Sequence, residues 1–139
     1  MSTTLGLIGL GRMGGNMARR LRRHGITVIA HNRNPGVTDA LAAECGVIAA
    51  SSVEALVAAL PSPRLVWLML PAGDTTQQYI DQLLPLLAPG DILVDGANSW
   101  FQDTLRRADA MASTGIHFVD AGVSGGIWGL ENGYCIMAG

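Results

Sequence analysis

The chain has 139 residues, 49% of them hydrophobic and 14% charged, with 18 glycines and a net charge of −2. That length suits one domain with a real core, and the apolar content excludes intrinsic disorder. No apolar run nears the ~20 residues of a membrane helix, and Met1 to Thr4 carry no side-chain positive charge, so neither a membrane partner nor a secretory leader is expected. Cys45 and Cys135 lie far apart, with no CxxC pair and no local His cluster. This favours a reduced, cytoplasmic chain without a metal site.

Charge is unevenly placed. All nine basic residues are arginine, and six of them (Arg12, Arg19, Arg20, Arg22, Arg23, Arg33) precede the first acid, Asp39. Residues 39 to 139 then carry a net charge of −8. Such a split fits an anion-binding end on an acidic body, or a solvated arginine-rich helix face over Arg19 to Arg23. Nothing in it suggests nucleic acid as a partner.

Apolar runs alternate with helical patterns along the chain. Leu5 to Leu10 reads as a buried strand, followed by a helix with Met13, Met17 and Leu21 on one face and Gly25 as its stop. Thr27 to His31 is a second strand, Asp39 to Glu44 a helical stretch closed by Gly46, and Val47 to Ala49 a third strand. Ser52 caps a helix through Leu60. Leu65 to Leu70 is continuously apolar, as in a strand covered on both faces. A helix over Thr75 to Leu87, breaking at Pro85, precedes a strand at Ile92 to Asp95. A helix over Gln102 to Ser113 and strands at His117 to Ala121 and Tyr134 to Ala138 complete the order. This alternation predicts an α/β, Rossmann-type doubly wound fold, its mainly parallel sheet covered by helices on both faces, with residues 1–139 forming one domain.

The first strand-to-helix turn reads Gly9-Leu10-Gly11-Arg12-Met13-Gly14, a G-x-G-x-x-G. Gly9 would permit the tight turn, Gly11 the approach of a pyrophosphate, and Gly14 close packing of helix on strand. Its position after a strand and at the start of a helix makes dinucleotide binding the expected chemistry. At the end of the second strand an NAD site usually carries an acid. This chain has His31-Asn32-Arg33-Asn34 instead, so Arg33 could face a 2′-phosphate, and NADP is favoured over NAD. Three later strands run into Leu70-Pro71-Ala72-Gly73, Gly96-Ala97-Asn98-Ser99 and Gly122-Val123-Ser124-Gly125-Gly126. In a parallel sheet these ends share one edge, where ligands bind.

At these residues the chain resembles the β-hydroxyacid dehydrogenases, through Leu7 to Gly14, Asn32-Arg33 and Asp120 to Gly126. The stretches Val94 to Ser99 and Gly126 to Tyr134 narrow the resemblance to the 6-phosphogluconate dehydrogenase family, in its shorter bacterial form. The resemblance implies oxidative decarboxylation of 6-phosphogluconate to ribulose 5-phosphate, with hydride passing to the nicotinamide. It implies cofactor contacts at Gly9, Leu10, Gly11, Arg12, Met13, Gly14, Asn32, Arg33, Asn34, Leu70, Pro71, Ala72 and Asn98. Asn98, Ser124, Gly125 and Gly126 would meet the substrate, and the complete enzyme would be a homo-oligomer.

One departure stands out. The family's general base is a lysine and its acid a glutamate, both in a helical domain after the coenzyme domain, and this chain has no lysine. It is therefore expected to be the coenzyme domain alone, binding dinucleotide without turnover. A 3-hydroxyisobutyrate-type dehydrogenase shares the glycine turn and the Ser-Gly-Gly, although Trp128 and Asn98-Ser99-Trp100 argue against it. A bare nucleotide-binding module is the other alternative.

Overall fold

The computed structural model describes residues 3–125 and 128–139. Seven strands form one sheet: β1 (Thr4–Ile8), β2 (Thr27–His31), β3 (Ile48–Ala49), β4 (Leu65–Leu68), β5 (Ile92–Asp95), β6 (His117–Ser124) and β7 (Cys135–Ala138). The helices are α1 (Arg12–Arg23), α2 (Pro35–Cys45), α3 (Val53–Ala59), α4 (Asp74–Leu83), α5 (Phe101–Met111) and the short α6 (Gly129–Asn132). The strand order is β3-β2-β1-β4-β5-β6-β7. The first six strands are parallel, and β7 returns antiparallel to β6, with Ser124 opposite Cys135. This is a doubly wound sheet whose order reverses between β1 and β4, the place where such folds open a crevice.

Alternation of side chains across the sheet sends each strand's residues into two cores. On one face Ile8, Ile29, Val66, Leu68 and Leu93 pack with Leu56 of α3, Ile80 and Leu83 of α4, and Met111 of α5. On the other, Leu5, Leu7, Val28 and Ala30 pack with Ala18 of α1 and Leu41 of α2. Further along that second face, Val94, Ala121 and Val123 meet Met17. No described helix is long and apolar enough to cross a membrane.

Several elements end differently from the sequence reading. α2 starts four residues earlier than Asp39, because the Asn34 side chain accepts from the Gly36 N–H and Pro35 takes the first helical position. β4 stops at Leu68, where the chain turns toward Pro71. β6 runs on to Ser124 because β7 pairs with its last four residues. Ser52 caps α3 through its hydroxyl, and Gly46 closes α2 in the left-handed region, both as expected.

Asp91, only 2% exposed, fastens the turn before β5. Its carboxylate accepts from the Arg64 N–H at 2.7 Å, the Ala88 N–H at 2.8 Å and the Arg64 guanidinium at 3.3 Å. Burial pushes this carboxyl up, but the two backbone N–H donors and Arg64 together outweigh it and hold it below its ordinary value. Its stabilising contribution is therefore complete above the ordinary aspartate value and lost as pH falls through the lowered one. Asp120 works in the opposite sense: burial, and then the Asp95 charge, push its carboxyl up. Its ionisation erodes stability as pH rises from the ordinary value through the raised one.

Asp91→Asn would set an amide N–H₂ against N–H donors, and should cost about 1.5–3 kcal/mol at neutral pH. Urea unfolding at pH 7 and pH 3 checks this. The gap between variant and parent should narrow at the lower pH, and a constant gap would contradict the assignment.

Candidate functional site

The turn after β1 is built by steric exclusion. Gly9 has φ +97°, and a Cβ there would overlap the Met69 carbonyl oxygen. A Cβ on Gly14 would overlap the Gly9 carbonyl oxygen, so these two positions hold the turn against β4 and against α1. A Cβ on Gly11, by contrast, meets nothing within 4 Å. The turn is fixed further by Asn32, whose Oδ1 accepts from the Leu10 N–H at 2.9 Å while its Nδ2 donates to the Asn34 carbonyl at 3.3 Å. Asn34 in turn spends its side-chain oxygen on the Gly36 N–H. The first turn of α1 carries neither a side-chain cap nor an acid. The amides of Arg12, Met13 and Gly14 therefore present the positive end of a 12-residue helix beside the open side of Gly11.

The arginines divide into two sets. Arg19 binds Glu44 through two nitrogens, and this hydrogen bond holds the Glu44 carboxyl below its ordinary value. Arg20 donates to the Leu130 and Glu131 carbonyls of α6, and Arg23 pairs with the Glu131 carboxylate at 3.3 Å. Arg22 donates to the Cys45 and Ile26 carbonyls. The stretch Arg19 to Arg23 is thus bonded to protein groups and joins α1 to α2 and α6, with Arg23 and its partner Glu131 remaining exposed to solvent. Arg12 and Arg33 alone of the six N-terminal arginines make no hydrogen bond or ion pair among the described residues.

Arg12 lines a cavity of about 360 Å³ beside the turn, with Gly11, Val37 and Glu44. Arg33 lines a second, of about 340 Å³, between the end of β2, α2 and the segment after β3. His31, Asn32, Thr38 and Ser51 share this second wall, and its one acid is Asp39, inside α2. The Thr38 hydroxyl is buried there without a partner among the described residues.

The β4 to β6 ends form the other half of the edge. The Met69 N–H donates to the Ile8 carbonyl, and Leu70, Pro71 and Ala72 lead into Gly73, the N-cap of α4. The buried Thr76 hydroxyl donates to the Pro71 carbonyl at 2.8 Å. Asn98 is the one non-glycine residue with positive φ (57°) among the described residues. Its Oδ1 accepts from the Val123 N–H at 3.2 Å and its Nδ2 donates to the Val123 carbonyl at 3.4 Å. Asn98 is thereby held one residue from Ser124, which is exposed at the end of β6 before Gly125. The structure so unites Asn98 with Ser124 and Gly125, and Asn32 with the glycine turn. Gly126 lies outside the described residues.

Sequence reasoning missed the group behind this edge. Asp95 (0% exposed) and Arg107 (2%) form a buried ion pair at 3.2 Å. The only local signal was an arginine four residues before Met111, on the inward face of α5.

A doubly wound sheet with a glycine turn at its order reversal, an uncapped helix N-terminus and two unpartnered arginines defines a dinucleotide-binding domain of the Rossmann class. Residues 4–139 match the family described as the NAD binding domain of 6-phosphogluconate dehydrogenase. The chain belongs to that family. It is 45% identical over 97% of its length to 6-phosphogluconate dehydrogenase, decarboxylating, from Haemophilus influenzae, and 46% identical over 97% to the protein of that name from Cunninghamella elegans. It spans 29% of each of these relatives. Relatives occur in fungi and an insect as well as bacteria, so the likeness is not confined to a bacterial form.

Among solved structures, Plasmodium falciparum 6-phosphogluconate dehydrogenase superposes with a TM-score of 0.91 at 30% identity, over 97% of this chain and 30% of that one. That enzyme is described apo, with its cofactor NADP+ and with its substrate 6-phosphogluconate. Mycobacterium tuberculosis 3-hydroxyisobutyrate dehydrogenase superposes at 0.88 and 28% identity, over 100% of this chain and 47% of that one. The fold is shared by both enzymes, while the family match favours the first.

Gly14→Ala should be destabilising by more than about 2 kcal/mol, because a backbone oxygen cannot move aside. Gly11→Ala should cost less than about 1 kcal/mol. Thermal unfolding followed by circular dichroism checks the contrast, and equal losses would contradict it.

Proposed function

We propose that this chain is the coenzyme domain of a decarboxylating 6-phosphogluconate dehydrogenase, and that it prefers NADP to NAD. The observation that carries the cofactor reading is the division of the arginines. Of the six N-terminal arginines four are spent on protein groups, while Arg12, within the glycine turn, and Arg33, after β2, have unpartnered side chains among the described residues. The residues present fit the cofactor: Gly11 leaves room for a pyrophosphate against the uncapped α1 amides, and no acid ends β2. Arg33, with the Thr38 and Ser51 hydroxyls beside it, suits a 2′-phosphate, two of whose oxygens can accept from the planar guanidinium fork.

When bound, the nicotinamide supplies the hydride acceptor. The chain's own residues orient and hold. Asn98 keeps one amide N–H and one oxygen lone pair beyond its two bonds to Val123, enough to meet both nicotinamide and a substrate hydroxyl. Ser124 and the Gly125 N–H, with Gly126, offer hydrogen bonds to 6-phosphogluconate. Removing the proton from the substrate hydroxyl needs a base that titrates near the working pH, which an arginine cannot be. No lysine occurs in these 139 residues. They are expected to bind the dinucleotide and to show no turnover of 6-phosphogluconate by themselves. We place the protein in the cytoplasm, consistent with its two free cysteines, and in a homo-oligomer.

Arg33→Ala should weaken NADP by about 1.5–3 kcal/mol while changing NAD little, if Arg33 bonds the 2′-phosphate. Titration calorimetry with both dinucleotides reads this directly, and equal losses would exclude the role. Gly11→Val should abolish binding of both dinucleotides while leaving the fold largely intact, with no more than a small fall in melting temperature. Normal binding by the folded variant would show that the pyrophosphate lies elsewhere.

A further inference from the structure

Arg107 is the most buried cation of the chain, and its guanidinium joins three separate segments. Nη1 donates to Asp95 Oδ2 at 3.2 Å and to the Ser99 hydroxyl at 3.0 Å. Nη2 donates to the Gly73 carbonyl at 3.3 Å, and Nε to Gln77 Oε1 at 2.8 Å. Asp95 completes the ring by accepting from the Ala97 N–H at 2.9 Å and from the Ser99 hydroxyl. Both neighbours of Asn98 are therefore tied to one carboxylate, and that carboxylate is tied to Arg107.

A buried ion pair is a poor source of net stability, since desolvation offsets most of the attraction. What this one fixes is position. Asn98 sits in the left-handed region, which asparagine tolerates better than most side chains, and the bonds of its two neighbours to Asp95 hold it there. The Gly73 carbonyl belongs to the turn between β4 and α4, so the same guanidinium sets the spacing between the β4 and β5 ends. In a doubly wound sheet those ends form the second mononucleotide half, away from the glycine turn and Arg33.

We propose that Arg107, through Asp95 and Ser99, is a positioning residue that sets Asn98 and the Gly73 turn for the nicotinamide half of the cofactor. It touches no ligand itself. The proposal rests on the dinucleotide reading above and adds the division of labour within it. A merely structural arginine would affect every ligand of the domain through stability, whereas a positioning residue acts on one half of the dinucleotide only.

The test is titration calorimetry of the 139-residue chain and its Arg107→Lys variant with NADP and with 2′,5′-ADP, which carries the adenosine half alone. Lysine keeps the charge but loses the fork that spans Gly73, Gln77, Ser99 and Asp95. NADP should weaken by roughly tenfold while 2′,5′-ADP stays within about twofold. If Arg107→Lys does not fold, Ser99→Ala leaves the ion pair intact and should give the same pattern, with a roughly threefold loss for NADP. Equal losses for the two ligands, or no loss for NADP, would overturn the proposal. Failure of the unaltered chain to bind either ligand would instead remove the dinucleotide reading, and this proposal with it.

Discussion

The meeting of Gly9, Met69 and Gly14 is the constraint on which the rest of the structure depends. The carbonyl of Met69 occupies the space a side chain on Gly9 would need, and the carbonyl of Gly9 occupies that of Gly14. Two strands and a helix thus converge at the point where strand order reverses, closer than any residue with a Cβ permits. Everything placed along the carboxyl edge takes its position from there. β1 fixes β2 on one side and β4 on the other, and the two cores fill the faces behind them.

Polar order at the edge is layered on this steric frame, with a different device in each half. Near the glycine turn a single carboxamide, Asn32, reaches across from β2 to hold the Leu10 amide. In the β4–β6 half the chain uses a charged pair with no access to water, Asp95 and Arg107. The four acceptors around that guanidinium come from two segments, Gly73 with Gln77 and Asp95 with Ser99, and together they fix its geometry. The contrast follows from what each half must hold: a turn already pinned by contact, or a residue, Asn98, whose two neighbours need a common anchor.

Much of this was legible in the sequence. Thr27 to His31 and Ile92 to Asp95 read as strands from β-branched and apolar content alone, and the structure has them with the same bounds. The glycine spacing announced the turn, and Ser52 and Gly46 announced helix ends, because each of those signals is local. Long-range partners were not legible. Arg20 meets α6 across 110 residues, and nothing in the pattern Arg19-Arg20-Leu21-Arg22-Arg23 distinguishes a clamp from a solvated face. α6 itself is too short to show periodicity. Arg107 escaped notice because an arginine next to another arginine reads as surface, and only tertiary structure supplies the carboxylate that lets it be buried.

The bond from Leu10 to Asn32 has a thermodynamic consequence. Fixing a residue's backbone costs about 1–2 kcal/mol of conformational entropy, whenever in the life of the chain it occurs. A glycine-rich turn left loose would meet that cost on each encounter with a ligand. Here the turn is already fixed by packing at Gly9 and Gly14 and by the Asn32 carboxamide, so its ordering belongs to folding. A ligand arriving at Gly11 meets a turn already set, and its association entropy carries the loss of its own freedom, the ordering of side chains such as Arg33 and the release of water, with no further cost for the turn.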